Sequence, residues 1–109
     1  MNKKSLFIKA MGNSPVIKVL DFLIENRTFD YSKSDIARET GISRITLDSF
    51  WENFIKLGIV KKTRTIGRAT LYTLNKESES VKKMIELDLA LSVAYSNMQE
   101  EKQEQITIA

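Results

Sequence analysis

The chain has 109 residues, enough for one compact domain, with 42% apolar residues, 28% charged residues and a formal net charge of +3. It holds neither cysteine nor histidine, which excludes disulfides, zinc sites built on those ligands, Cys–His or Ser–His nucleophilic machinery and a histidine pH switch. No apolar run approaches the ~20 residues of a membrane span, so the expectation is a cytoplasmic protein that does not enter membranes.

The start, Met1-Asn2-Lys3-Lys4 followed by Leu6-Phe7-Ile8, has too short an apolar run for a signal peptide, and Lys9 ends it. Residues 1–13 read either as a short helix resting on the core or as a frayed arm. The first clear helix begins at Ser14, a good N-cap, with Pro15 at the first helical position, where its missing N–H costs nothing. Val16, Leu20, Leu23 and Ile24 follow at helical spacing, and Asn26-Arg27 ends the run. Phe29-Asp30-Tyr31 is a short extended link.

Ser32 opens a second helix, with Asp35 at capping-box spacing and Tyr31 and Ile36 at the two staple positions. That helix is short, because Gly41 supplies a left-handed C-cap. Ser43 caps a third helix, whose Leu47, Phe50, Trp51, Phe54 and Leu57 form one apolar stripe expected to face inward. Gly58 stops it. Residues 59–65 and 69–74 are then rich in β-branched or alternating residues, joined by Ile66-Gly67-Arg68, which predicts a β-hairpin. After a polar stretch, Ser80 is expected to cap a long final helix starting at Val81, with the residues from Glu100 fraying.

Charge is unevenly placed along this order. Residues 1–76 carry 14 basic and 7 acidic residues, a balance of +7, and residues 77–109 carry 3 and 7, a balance of −4. Only the front of the chain suits a polyanion. Two helices joined by a short turn containing Gly make a helix-turn-helix, whose second helix projects outward. Burial of the apolar stripe leaves Ser43, Arg44, Ile45, Thr46, Asp48, Ser49, Glu52 and Asn53 on the outer face. Arg44 suits a phosphate or the paired acceptors of guanine, Thr46 and Ser49 suit phosphates or base edges, and Ile45 suits a thymine methyl.

The segment Asp35 to Leu47 resembles the helix-turn-helix of winged-helix transcriptional regulators. Leu57-Gly58-Ile59-Val60 is similar to the segment that feeds their wing, and Gly67 to Asn75 to the second wing strand of many archaeal members of the broad group that includes MarR-like and ArsR-like regulators. The resemblance covers roughly residues 12–95. It implies a mainly α fold with a β-hairpin wing (α+β), a winged helix-turn-helix followed by a long C-terminal helix. The expected organisation is an arm or short helix over 1–13, the DNA-binding domain over 14–75, a dimerisation helix over 80–100 and a flexible tail over 101–109.

The resemblance also implies that the third helix enters the major groove of double-stranded DNA while the hairpin tip touches backbone or minor groove. The candidate DNA-binding residues are Ser43, Arg44, Ile45, Thr46, Ser49, Asn53, Lys62, Arg64 and Arg68. Lys61, Lys62, Arg64 and Arg68 lie within eight residues that contain no acid, with Lys62 and Arg64 expected on one strand face. The sequence departs from the family at Asp48 and Ser49, where Arg or Lys is often found. Asp48 and Glu52 either accept from cytosine amino groups or are solvated and point away. Trp51 and Tyr72 read as core in preference to base-stacking residues, and Asp48 with Glu52 lacks the third ligand a metal needs.

The final helix is apolar on more than one face, which calls for more than one partner. Val81, Met84, Ile85, Leu91, Tyr95 and Met98 are therefore candidates for a homodimer seam, the other reading being coverage by residues 1–13 of the same chain. The expected function is a homodimeric, sequence-specific DNA-binding transcriptional regulator, with neither cofactor nor evident small-molecule ligand. The rival readings are a winged-helix protein-interaction module in a transcription or partition complex, which the acids Asp48 and Glu52 would favour, and an enzyme, which would need a pocket of convergent polar groups.

Overall fold

In the computed structural model, which describes the backbone of residues 5–108 and the side chains of residues 5–102, five helices and three strands are found, the helices and the hairpin in the expected order. They are α1 (Leu6–Met11), α2 (Pro15–Glu25), β1 (Tyr31–Ser32), α3 (Lys33–Thr40), α4 (Arg44–Lys56), β2 (Val60–Ile66), β3 (Ala69–Leu74) and α5 (Glu79–Ile108). Residues 6–11 of the arm thus form a helix, and Met1 to Lys4 lie outside the described residues. The helix starts obey local chemistry. Ser14, Ser32 and Ser43 each turn a hydroxyl back to accept from the backbone N–H three residues on, at 3.3, 3.1 and 3.0 Å. At Gly41, φ of +74° closes α3 in the left-handed region, and both Gly41 and Ile42 donate to the Ala37 carbonyl.

One core joins the elements. Leu23, Ile24, Ile36, Leu47, Trp51, Phe54, Leu74 and Val81 are all buried within it. The ring of Tyr31 meets Phe22 edge-on at 5.0 Å, and Tyr72 meets Trp51 edge-on at 5.2 Å, so α2 and α4 are each tied to the sheet by an aromatic pair. Leu57 departs from the expected inward stripe. It is the C-cap residue of α4 and is 69% exposed, because the chain leaves the helix axis there. Phe50 is half-buried.

The sheet has a strand that the residue pattern did not announce. β1 pairs antiparallel with β3, giving the order β1-β3-β2. The link before α3 is therefore stitched to the hairpin. The hairpin loop is tighter than expected, since Ile66 pairs with Ala69 and only Gly67-Arg68 turn the chain. Gly67 has φ of +60° and Arg68 does not share that sign, the pattern of a type II′ turn. A bulge interrupts β2: Lys62 pairs with Tyr72, but Arg64 pairs with Leu71. Neighbouring residues of β3 project to opposite faces, so Lys62 and Arg64 do not share a strand face as expected.

The last helix starts earlier and runs longer than predicted. Ser78, not Ser80, caps it, accepting from the Val81 N–H at 3.4 Å, and this places Glu79 in the first turn, where the helix dipole favours an acid. Helical backbone continues to Ile108, through the stretch read as a tail, whose Glu, Gln and Lys residues are good helix formers. Val81 is fully buried, and Met84, Ile85 and Leu91 pack partly against the core, so this part of the supposed dimer seam is occupied within the chain. α1 covers the next stretch, with Lys9 lying 5.6 Å from the centre of the Tyr95 ring. Beneath α1, burial holds the Asp21 carboxyl above the ordinary carboxylate range, although the Ser5 hydroxyl donates to it at 2.7 Å. Leu87, Leu89, Val93, Tyr95 and Met98 remain exposed along α5.

Two substitutions separate packing from turn geometry. Leu47→Ala removes a fully buried side chain and is expected to lower stability by about 2–5 kcal/mol. Gly41→Ala meets no neighbour within 4 Å but forces an L residue into the left-handed region, at a cost of about 1–2 kcal/mol. Urea unfolding of the two variants beside the parent checks the order.

Candidate nucleic-acid interface

The inner stripe of α4 is held down by Leu47, Trp51 and Phe54, and this fixes what faces out. Ile45 is 85% exposed at the first turn. Arg44, Asp48, Ser49, Glu52 and Asn53 are exposed beside it. The hydroxyls are less available than their types suggest. Ser43 is the N-cap and donates in turn to Thr46 Oγ1 at 2.9 Å, and Ser49 donates to the Thr46 carbonyl at 2.6 Å. Each spends its proton within the helix and keeps acceptor capacity toward a ligand.

An open groove of about 540 Å³ lies between the starts of α3 and α4 and the hairpin, lined by Ser32, Lys33, Ser34, Arg44, Arg68, Ala69, Thr70 and Tyr72. It brings together two predicted site residues, Arg44 and Arg68, and adds Lys33 and Ser34, which the sequence reading passed over. Arg44 donates to Ser34 Oγ at 2.8 Å, which bridges the first turns of the two helices. A local signal was present. Lys33 and Arg44 are the first residues of their helices, where the macrodipole disfavours a cation. Three cations beside a helix N-terminus suit a phosphate or another oxyanion.

Asp48 is exposed, but it does not turn away from the helix start. Its Oδ1 accepts from Lys33 Nζ at 3.0 Å and lies 3.9 Å from the Arg44 guanidinium. The Lys33 contact, with Arg44 adding to it, holds its carboxyl below the usual carboxylate range. Among the described residues, Oδ2 has no partner. Glu52 pairs with no cation there, and no group of acids is arranged to hold a metal.

The wing is acid-free in sequence but not in space. Arg64 clamps Asp30 through Nε at 3.0 Å and a second nitrogen at 3.2 Å, and the Thr63 hydroxyl also donates to that carboxylate. The Arg64 bonds hold Asp30 below its ordinary pKa, and Asp30 holds Arg64 above its own. Lys61 reaches Glu77 at 2.8 Å. Of the four wing cations, Lys62 and Arg68 are those outside any ion pair among the described residues. Every residue from Lys61 to Gly67 is exposed, and the run lifts the turn, with Ile66 56% exposed at its edge, clear of the body.

This geometry has counterparts among solved proteins. ZitR from Lactococcus lactis superposes at a TM-score of 0.62 with 16% identity, over 83% of this chain and 74% of that one. The transcriptional regulator HlyU from Vibrio vulnificus CMCP6 shares 27% identity at a TM-score of 0.55, over 79% of this chain and 83% of that one. The adhesin competence repressor of Streptococcus pyogenes shares 15% at a TM-score of 0.58, over 90% and 72%. No protein-family model and no curated protein matches the sequence. The chain has the winged helix-turn-helix fold of transcriptional regulators, and its structural likeness is to regulators rather than to enzymes.

Proposed function

We propose that the protein is a sequence-specific regulator that binds double-stranded DNA as a homodimer. The observation that carries this reading is the cationic groove where Lys33, Arg44 and Arg68 converge between the projecting helix and the wing. In this reading α4 lies in the major groove, with Ile45, Thr46, Ser49 and Asn53 toward base edges, Arg44 within reach of a phosphate as well as a base edge, and the Ser43 end near the backbone. Lys33, Lys62 and Arg68 hold phosphates. Arg64 serves first as the wing's brace through Asp30, and contributes to DNA only as far as it leaves that pair. The protein-interaction alternative drew on an acidic outer face, and the pairing of Asp48 with Lys33 weakens that feature. No helix is long and apolar enough to cross a membrane among the described residues, and a chromosomal DNA target fits the cytoplasm.

The dimer reading moves along α5. Its support is the overhang of a 30-residue helix in a molecule of 61 × 29 × 22 Å, with Leu89 at 55%, Val93 at 60% and Met98 at 60% exposure. A second copy would cover the face that carries Leu89 and Val93, and two recognition helices one DNA turn apart would select an inverted repeat.

Selection from a random DNA pool, followed by binding at several salt concentrations, tests the DNA reading. Lys62→Ala/Arg68→Ala is expected to weaken binding about uniformly across sequences and to reduce the salt slope by about 2, one for each lost phosphate contact. Arg64→Ala should lower the slope less. A double variant that binds like the parent removes the wing role, and a parent that retains no duplex at physiological salt removes the function. For the dimer, light scattering of the free protein should give twice the chain mass, and Leu89→Glu/Val93→Glu should return it to the chain mass. A parent already at the chain mass ends that part of the proposal.

A further inference from the structure

We propose that Asp48 is an internal competitor of DNA phosphates for Lys33 and Arg44, and that it sets sequence choice by making arbitrary DNA bind worse than DNA that offers it a cytosine amino group. This inference rests on the DNA-binding reading and deepens it. The carboxylate holds the two cations that an incoming phosphate would need. One oxygen, Oδ1, is 3.0 Å from Lys33 Nζ and 3.9 Å from Arg44. Both cations line the groove between helix and wing. A phosphate seated there must share them with Asp48 or displace it, and like charge opposes its approach in either case.

The other oxygen does a different job. Oδ2 has no partner among the described residues, and the side chain is 48% exposed on the outer face of α4. An ionised carboxylate only accepts hydrogen bonds. Against a base pair in the major groove it gains from the amino group of cytosine and is repelled by the O6 and N7 acceptors of guanine. The same residue therefore lowers affinity everywhere and recovers it at one kind of base pair. Specificity is a difference of two affinities, and a group that penalises the wrong partner contributes to it as surely as one that rewards the right one. The arrangement also accounts for two helices that begin with a cation at the position the macrodipole disfavours. Each has its countercharge in Asp48 until a phosphate takes its place.

The test uses the full chain and two duplexes, one of arbitrary sequence and one selected by the parent protein from a random pool. Fluorescence anisotropy is read across a salt series. Asp48→Ala is expected to bind the arbitrary duplex about tenfold more tightly, with a salt slope steeper by about 1 to 2 as Lys33 and Arg44 become free to release counterions. Its preference for the selected duplex should fall by about fivefold or more, the loss of one base-edge contact. Asp48→Asn, which keeps the shape and removes the charge, should move the arbitrary duplex in the same direction. Glu52→Ala removes an equal charge from the same helix, but from a residue in no ion pair among the described residues, and should leave the slope at the parent value. A selected pool in which no position is fixed as a G·C pair overturns the proposal. So does an Asp48→Ala protein that matches the parent on arbitrary DNA, or a Glu52→Ala protein that reproduces its effect. In each of those cases the parent still binds, and the DNA reading stands. If the parent binds neither duplex, the DNA reading falls and this inference with it.

Discussion

Leu47, Trp51 and Phe54 hold α4 against the rest of the core, at 0%, 2% and 5% exposure. Successive residues of a helix are about 100° apart around its axis, so a slip of one residue would bury Asp48 or Glu52 and lift Trp51 into water. Either error costs more than a surface contact can return. The rotational setting of the helix is thereby locked, and with it the identity of every outward side chain. The same stripe reaches the hairpin, because Trp51 meets the Tyr72 ring edge-on at 83°. Helix and wing are thus oriented by one patch of aromatic packing, and the groove between them follows from it.

The electrostatic surface is built on top of that frame by long-range pairing. Lys61 and Arg64 are neutralised by Glu77 and Asp30, which lie 16 and 34 residues away in sequence. Exposed pairs of this kind are screened by solvent and salt and contribute little. They are poor sources of stability, and their effect is on direction. Asp30 sits just before β1, Arg64 just after the β2 bulge, and the bidentate contact braces the hairpin where its ladder is interrupted. Asn75 adds a second brace at the wing's base, donating from its side chain to the Gly58 carbonyl at 3.0 Å. Among the described residues, the wing cations that remain outside ion pairs are Lys62 and the turn residue Arg68.

The features legible in the sequence were those with local causes. A serine ahead of an apolar period marks a helix start, and Gly41 marks the turn, because each acts on the backbone within four residues. The helix-turn-helix, the hairpin and the outer face of α4 followed from such signals. The features that were not legible depend on partners remote in the chain. β1 is two residues long and exists only because β3 lies beside it. The bulge at Thr63 turns Arg64 to the other face, and no periodicity announces it. The acid-free stretch from Lys61 to Arg68 invited a count of four available cations, and folding brought two acids to it. At Leu57 the apolar period continued one step beyond the end of the helix that gave it meaning.

Lys33 and Arg44 stand apart from both groups, because their signal was local and contrary. Each occupies the first turn of a helix, and α4 has no acid there at all. Stability alone would favour Asp or Glu at both positions. Instead the chain places two cations at adjacent helix starts, joins them through Ser34 and balances them with one carboxylate from the next turn of α4. Positions where a local rule is broken and the surroundings are arranged to tolerate it are where function is to be sought. Here the violation is repeated at both helices of the turn and opens onto a groove wide enough for a phosphate. In the proposed reading, affinity for an anion is favoured over helix stability where helix, turn and wing meet.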